Sequence, residues 1–148
     1  MLRKRIPKVD DKAIFALIRK ELIPLNPPEW QKGDHSDKRL TERLKLGTTL
    51  VWSQARHTPA LAFIHIYPLG PVLFVDLLAV DGKLQRRGIG SVLLDEAEKH
   101  GRAWGHTRLQ LLVNETNAKG IRFYMKKGMS IARYEPMLRS YLMDKAIV

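Results

Sequence analysis

The sequence predicts an α/β (α+β) domain: a mixed, mostly antiparallel sheet of about six or seven strands with about four helices spread over both faces. Three observations predict it. A β-rich run from Leu73 to Asp81, apolar except for Asp76 before its last residue, passes through a glycine loop into an amphipathic helical stripe and then a further strand. Two β-rich runs precede it, joined by a short turn, and two more close the chain. Helical stripes occupy the remaining long segments.

The elements follow in order. Leu2 to Pro7 reads as an edge strand that Pro7 stops from pairing further. Asp10 or Asp11 is placed to cap a helix carrying Ala13, Ile14, Leu17, Ile18 and Leu22 on one stripe, ended by Pro24, Pro27 and Pro28. Trp30 stands alone among polar neighbours and is expected to fold back on the core. Ser36 or Asp37 opens a second helix through Leu40 and Leu44 to Leu46, stopped by Gly47. Thr48 to Gln54 and Ala60 to Tyr67 form a hairpin, and the turn Leu69-Gly70-Pro71 leads into the Leu73 strand. His65 shares a face with Phe63 and Tyr67 and is expected to be structural.

After the central strand, Leu93, Leu94, Ala97, Gly101 and Trp104 recur at helical spacing, and Gly105-His106 ends that helix. Thr107 to Val113 is the next strand, parallel to the Leu73 strand because a helix joins the two. Asn114 to Asn117 is a polar break before a short helix marked by Ala118, Ile121 and Met125 and ended by Gly128. Met129 to Tyr134 and Ser140 to Val148 pair antiparallel around Glu135 and Pro136.

The length of 148 residues and 45% hydrophobic content suit a single domain. The chain has no cysteine, which excludes disulfides and thiolate metal sites, and no metal is expected. No apolar run approaches the ~20 residues of a membrane span, and Met1 to Arg5 is not followed by a signal-peptide core. A soluble, cytoplasmic protein is expected, monomeric or homodimeric, with no membrane partner. The net charge of +11 favours anionic ligands. It is concentrated in Met1 to Lys20, with seven Lys or Arg against two Asp, and in Lys119 to Arg139, with six against Glu135 alone. No helix-turn-helix spacing, zinc ligand set or aromatic RNA-binding strand accompanies the charge, so nucleic acid is not an expected partner.

Chemistry is concentrated in Gly82 to Ser91, which holds three glycines and three basic residues. A loop opening a helix leaves amide N–H groups unpaired at the positive end of the dipole, where a phosphate fits. Gly88 and Gly90 keep side chains from holding the ligand off the backbone, and Arg86 and Arg87 add positive charge. A Walker loop does not fit, since Gly88 is followed by Ile89. A dinucleotide fingerprint does not fit either, since Leu93 stands at its third glycine.

Gln85, Gly88 and Gly90 form Q-x-x-G-x-G after L-x-V (Leu78 to Val80), which resembles the signature of the GNAT superfamily of N-acetyltransferases. Asn117 to Met129 is similar to that family's N-x-x-A-x-x-F-Y-x-K-x-G-F, with Asn117, Phe123, Tyr124, Lys126 or Lys127, and Gly128 in place. Gly120 replaces the usual Ala, at about 1 kcal/mol of helix propensity, and Met129 replaces the usual Phe. By motif, the resemblance covers Val72 to the C-terminus.

The resemblance implies direct acetyl transfer from acetyl-coenzyme A, a co-substrate, to a primary amine on a small molecule or on a protein or peptide. It implies a coenzyme site built from Leu78, Ala79, Val80, Gln85, Arg86, Arg87, Gly88, Ile89, Gly90, Ser91, Asn117 and Lys126. Backbone groups of Leu78 and Val80 would pair with the pantetheine arm and polarise the thioester. Tyr124 would act as general acid toward the departing thiolate. For the base, Asp76 is the acid whose burial in an apolar strand would raise its proton affinity, with Glu115, His65 and water as alternatives. Two other classes stay open: a basic nucleic-acid-binding module and a coenzyme-binding sensor without turnover.

Overall fold

Seven strands lie in one sheet in the order β1-β2-β3-β4-β5-β7-β6 in a computed structural model that describes residues 1–147. The strands are β1 (Leu2–Lys4), β2 (Thr48–Trp52), β3 (Ala62–Leu69), β4 (Val72–Val80), β5 (Arg108–Asn114), β6 (Ser130–Glu135) and β7 (Ser140–Ala146). Each neighbouring pair is antiparallel except β4 and β5, which run parallel as the intervening helix requires. The last strand thus inserts between β5 and β6; Val148, expected at its end, lies outside the described residues.

Five helices cover the sheet: α1 (Pro7–Leu17), the single-turn α2 (Pro28–Gln31), α3 (Asp37–Leu44), α4 (Ile89–Ala103) and α5 (Ala118–Lys126). One core packs α4 against Ile64, Leu73, Val75, Leu111 and Met143. A second, on the opposite face, packs α1 and α3 against Val51, Phe63, Leu77 and Ala79. Burial on both faces is why β4 reads as an almost continuous apolar run.

Three expectations are corrected. α1 starts at Pro7, whose missing N–H is no loss at a first helical position, and Ile6 offers no side-chain cap. Asp10 instead lies buried within the helix, accepting from Ile6 N at 2.7 Å and from both Arg3 terminal nitrogens at 2.7 and 2.9 Å. Asp11 pairs with Arg5. Trp30 does not fold back: it is 48% exposed on α2. α1 also does not stop cleanly, because it runs into a π-helical turn, Ile18–Leu22, before Pro24 breaks it.

Candidate coenzyme and acceptor site

The parting of two strands positions the site. β4 and β5 pair only from Val72↔Arg108 to Val75↔Leu111, yet β4 continues to Val80 and β5 to Asn114. The cause is local. On the other side of β4, Ile66 pairs with Val75 and His65 with Leu77, which leaves Asp76 unpaired as a β-bulge. A bulge bends its strand, and the pairing with β5 ends at that point. Beyond it, Asp81 N donates to Leu61 O. By the alternation of an antiparallel ladder, the backbone groups of Leu78 and Val80 then face away from β3, into the opening. Those of Ala79 face β3, and its side chain sits in the second core.

The loop after β4 ends at Gly88, at φ +80°, where an added Cβ would meet nothing within 4 Å. Gly90 is closer to its surroundings: a Cβ there would lie 3.6 Å from Phe123 Cζ and 3.7 Å from Val80 Cγ2. Ile89 is buried and anchors the helix start in the first core. Among the described residues, no side chain or carbonyl of the protein accepts from the amides of Gly88, Ile89, Gly90 or Ser91. Arg86, at φ +70°, and Arg87 are exposed and make no ion pair among those residues. The amides at the start of α4 are therefore unpaired beside two exposed arginines, and they lie beside a gap where β4 and β5 no longer bond.

Gln85 has a different local role from its neighbours. Its Nε2 donates to Val80 O at 3.0 Å and Glu21 Oε2 at 3.1 Å, while its Oε1 accepts from Lys119 Nζ at 3.0 Å. Glu21, on the π-helical turn, also accepts from Gly82 N at 3.2 Å. Gln85 thus braces the loop against both the helical segment after α1 and the start of α5. Asn117 caps α5, its Oδ1 accepting from Gly120 N at 2.9 Å. A Cβ at Gly120 would fall 2.5 Å from Asn117 Nδ2, so a larger residue there requires the Asn117 side chain to shift.

Tyr124 is partly buried against the first core, in edge contact with Phe123 at 5.1 Å. Among the described residues its hydroxyl has no protein partner, and burial pushes its pKa up to about 12. Lys126 is exposed and contacts nothing polar among the described residues. Lys127 instead reaches Ser91 Oγ at 2.7 Å.

Asp76 does not sit in the apolar surroundings expected of a base. Both of its oxygens accept from Arg43, Nε and Nη2, at 2.9 Å each, on the α3 side of the sheet. His65 is fully buried, its Nδ1 2.8 Å from Thr49 Oγ1, and burial lowers its pKa. Glu115 lies on the surface after β5. It lines a cavity of about 170 Å³ at the end of β5, with Pro24, Pro27, Pro28, Asn114 and Arg139 on the other walls. Tyr134 Oη donates to Glu115 Oε2 at 2.7 Å. Asn114 takes two donors from Thr116 on its Oδ1, which leaves its buried Nδ2 without a partner.

The sequence did not reveal Glu21 and Arg43 as site neighbours, and it offered Lys127 only as the alternative to Lys126 in the motif. Only Lys127 had a readable signal: it lies four residues after Phe123, so helical phase puts it on the face that meets α4. Among the described residues no group of side chains could hold a metal ion, and no helix is long and apolar enough to cross a membrane.

Solved structures share this fold. Ard1 from Thermoplasma volcanium superposes with a TM-score of 0.83 at 21% identity, covering 100% of this chain and 97% of that one. The PaiA N-acetyltransferase from Thermoplasma acidophilum, solved in complex with coenzyme A, has a TM-score of 0.79 at 19% identity, covering 99% of each chain. The ribosomal-protein-S18-alanine N-acetyltransferase from Escherichia coli has a TM-score of 0.75 at 18% identity, covering 99% of this chain and 93% of that one. In sequence, the uncharacterised protein YdhI of Bacillus subtilis is 28% identical over 61 residues, 41% of this chain. That match spans only 38% of the relative's length. The family model for the acetyltransferase (GNAT) family matches residues 15–129, and the chain belongs to that family, for which acetyl-coenzyme A is the usual co-substrate.

Proposed function

We propose that this protein moves an acetyl group from acetyl-coenzyme A directly to a primary amine. The observation that carries the reading is the pair of parted strands beside four unclaimed amides. The bound coenzyme supplies a thioester carbonyl carbon open to attack; everything else comes from the chain. The amides of Gly88 to Ser91, with Arg86 and Arg87, hold the pyrophosphate. The N–H groups of Leu78 and Val80 orient the arm and donate toward the carbonyl oxygen as negative charge builds there. Val80 O is already used by Gln85, so it offers the arm less than Leu78 does.

The acceptor, an amine on a small molecule or on a peptide chain, enters the cavity between Pro24–Pro28 and the end of β5. Glu115 takes its proton through water, the new C–N bond forms, and the C–S bond breaks. Tyr124 gives its proton to the leaving sulfur. Asp76 serves as a strut, with neither oxygen free.

Thiol release across a panel of amines and peptides tests the reading. Glu115→Gln is expected to lower kcat/KM about a hundredfold with the coenzyme A Kd unchanged, while Asp76→Asn keeps turnover. Coenzyme binding without thiol release from any acceptor would instead favour a sensor. The brace has its own test. Glu21→Ala releases Gly82 and Gln85 and is expected to raise the coenzyme A Kd about fivefold by calorimetry, since a mobile loop must be ordered on binding. An unchanged Kd would mean that the loop holds its shape without Glu21.

A further inference from the structure

The facing sides of α4 and α5 are joined by one ammonium. Lys127 Nζ lies 2.7 Å from Ser91 Oγ and 2.6 Å from Asp95 Oδ1. Ser91 and Asp95 are one helical turn apart on α4, so the contact links an exposed carboxylate to the last residue of the open amide cradle. Lys127 is the enclosed member of the ion pair, with a side chain 20% exposed against 56% for Asp95. Its backbone is anchored separately. Lys127 O accepts from Lys145 Nζ at 3.0 Å, and Lys145 pairs with Glu98 at 2.8 Å. The ammonium can therefore change partner by rotating its own side chain, with α5 staying in place.

A half-exposed carboxylate in water is a weak partner for a lysine. A phosphate at a helix start presents more charge and more acceptor oxygens to the same ammonium, in a place where the dipole also favours it. We propose that Lys127 is a coenzyme-binding residue whose ammonium leaves Asp95 for a phosphate of coenzyme A, Asp95 holding it in the free protein. The inference rests on the reading of Gly88 to Ser91 as the pyrophosphate cradle. It assigns to Lys127 the contact that the sequence resemblance had given to Lys126.

The consequence is a pair of opposite effects on coenzyme A affinity, measured by calorimetry. Lys127→Met is expected to raise the Kd about tenfold and to reduce its salt dependence, and Lys127→Arg to stay within about threefold of wild type. Asp95→Asn removes the competing partner and is expected to lower the Kd about threefold. A purely structural link between α4 and α5 gives both variants the same sign, because both break it, together with a lower Tm. That result, or a Lys127→Met protein that binds as wild type does, overturns the proposal. Repeating the titrations with dephospho-coenzyme A assigns the phosphate: the Lys127→Met defect disappears if the partner is the 3′-phosphate and persists if it is the pyrophosphate, and either outcome supports the proposal. Wild type that binds no coenzyme A overturns this inference together with the site beneath it.

Discussion

Gly90→Glu abolishes coenzyme A binding, with no measurable heat of titration and no coenzyme-dependent rise in Tm. The position tolerates a methyl group, since a Cβ there makes ordinary contacts with Phe123 and Val80. It does not tolerate a longer acidic chain. The carboxylate must either wedge between β4 and α5 or lie over the amides of Gly88 to Ser91, where it places negative charge in a cradle built for an anion. Gly90→Ala separates these effects and is expected to keep the Kd within about threefold, because it adds bulk that fits and no charge. Equal losses in both variants would mean that even a methyl group fills space the coenzyme needs, since Gly90 lies within α4 with a helical backbone that alanine also adopts.

Tyr124→Phe lowers kcat about a hundredfold while leaving the coenzyme A Kd and Tm unchanged. The hydroxyl is unpartnered among the described residues, so its removal leaves no protein group orphaned and costs no hydrogen bond within the fold. Its pKa sets the pH behaviour. A general acid works while protonated and loses that role as pH rises through its pKa. Burial has moved that value up, to about 12, so Tyr124 adds no basic limb to the wild-type profile across the usual assay range. A Phe variant as fast as wild type at every pH removes Tyr124 from the chemistry and leaves protonation of the thiolate to water.

The sequence made the order of elements readable because each element carries its own signal. β4 is apolar because both faces are covered, α4 and α5 show helical stripes, and Gly47, Gly105 and Gly128 end elements in left-handed or extended turns. The candidate coenzyme loop was readable for the same reason: an anion site of backbone amides needs glycines close together in sequence. What could not be read depends on distant partners. Asp76 meets Arg43 across 33 positions, and neither residue signals the other. The bulge at Asp76, which opens the sheet, exists only relative to the β3 ladder. The exposure of Trp30 depends on the turn of α2, and the order β5-β7-β6 on pairing between remote segments. Glu115 was legible as a candidate, but the cavity it lines was not, because that cavity comes from three separate stretches of chain.

Amide chemical shifts followed while coenzyme A is added to uniformly ¹⁵N-labelled protein test the central claim most directly. The account predicts that the largest changes fall on Gly88, Ile89, Gly90 and Ser91, at the start of α4, and on Leu78 and Val80, on the parted end of β4. Saturable shifts confined to other parts of the surface, with these six amides unmoved, would contradict it.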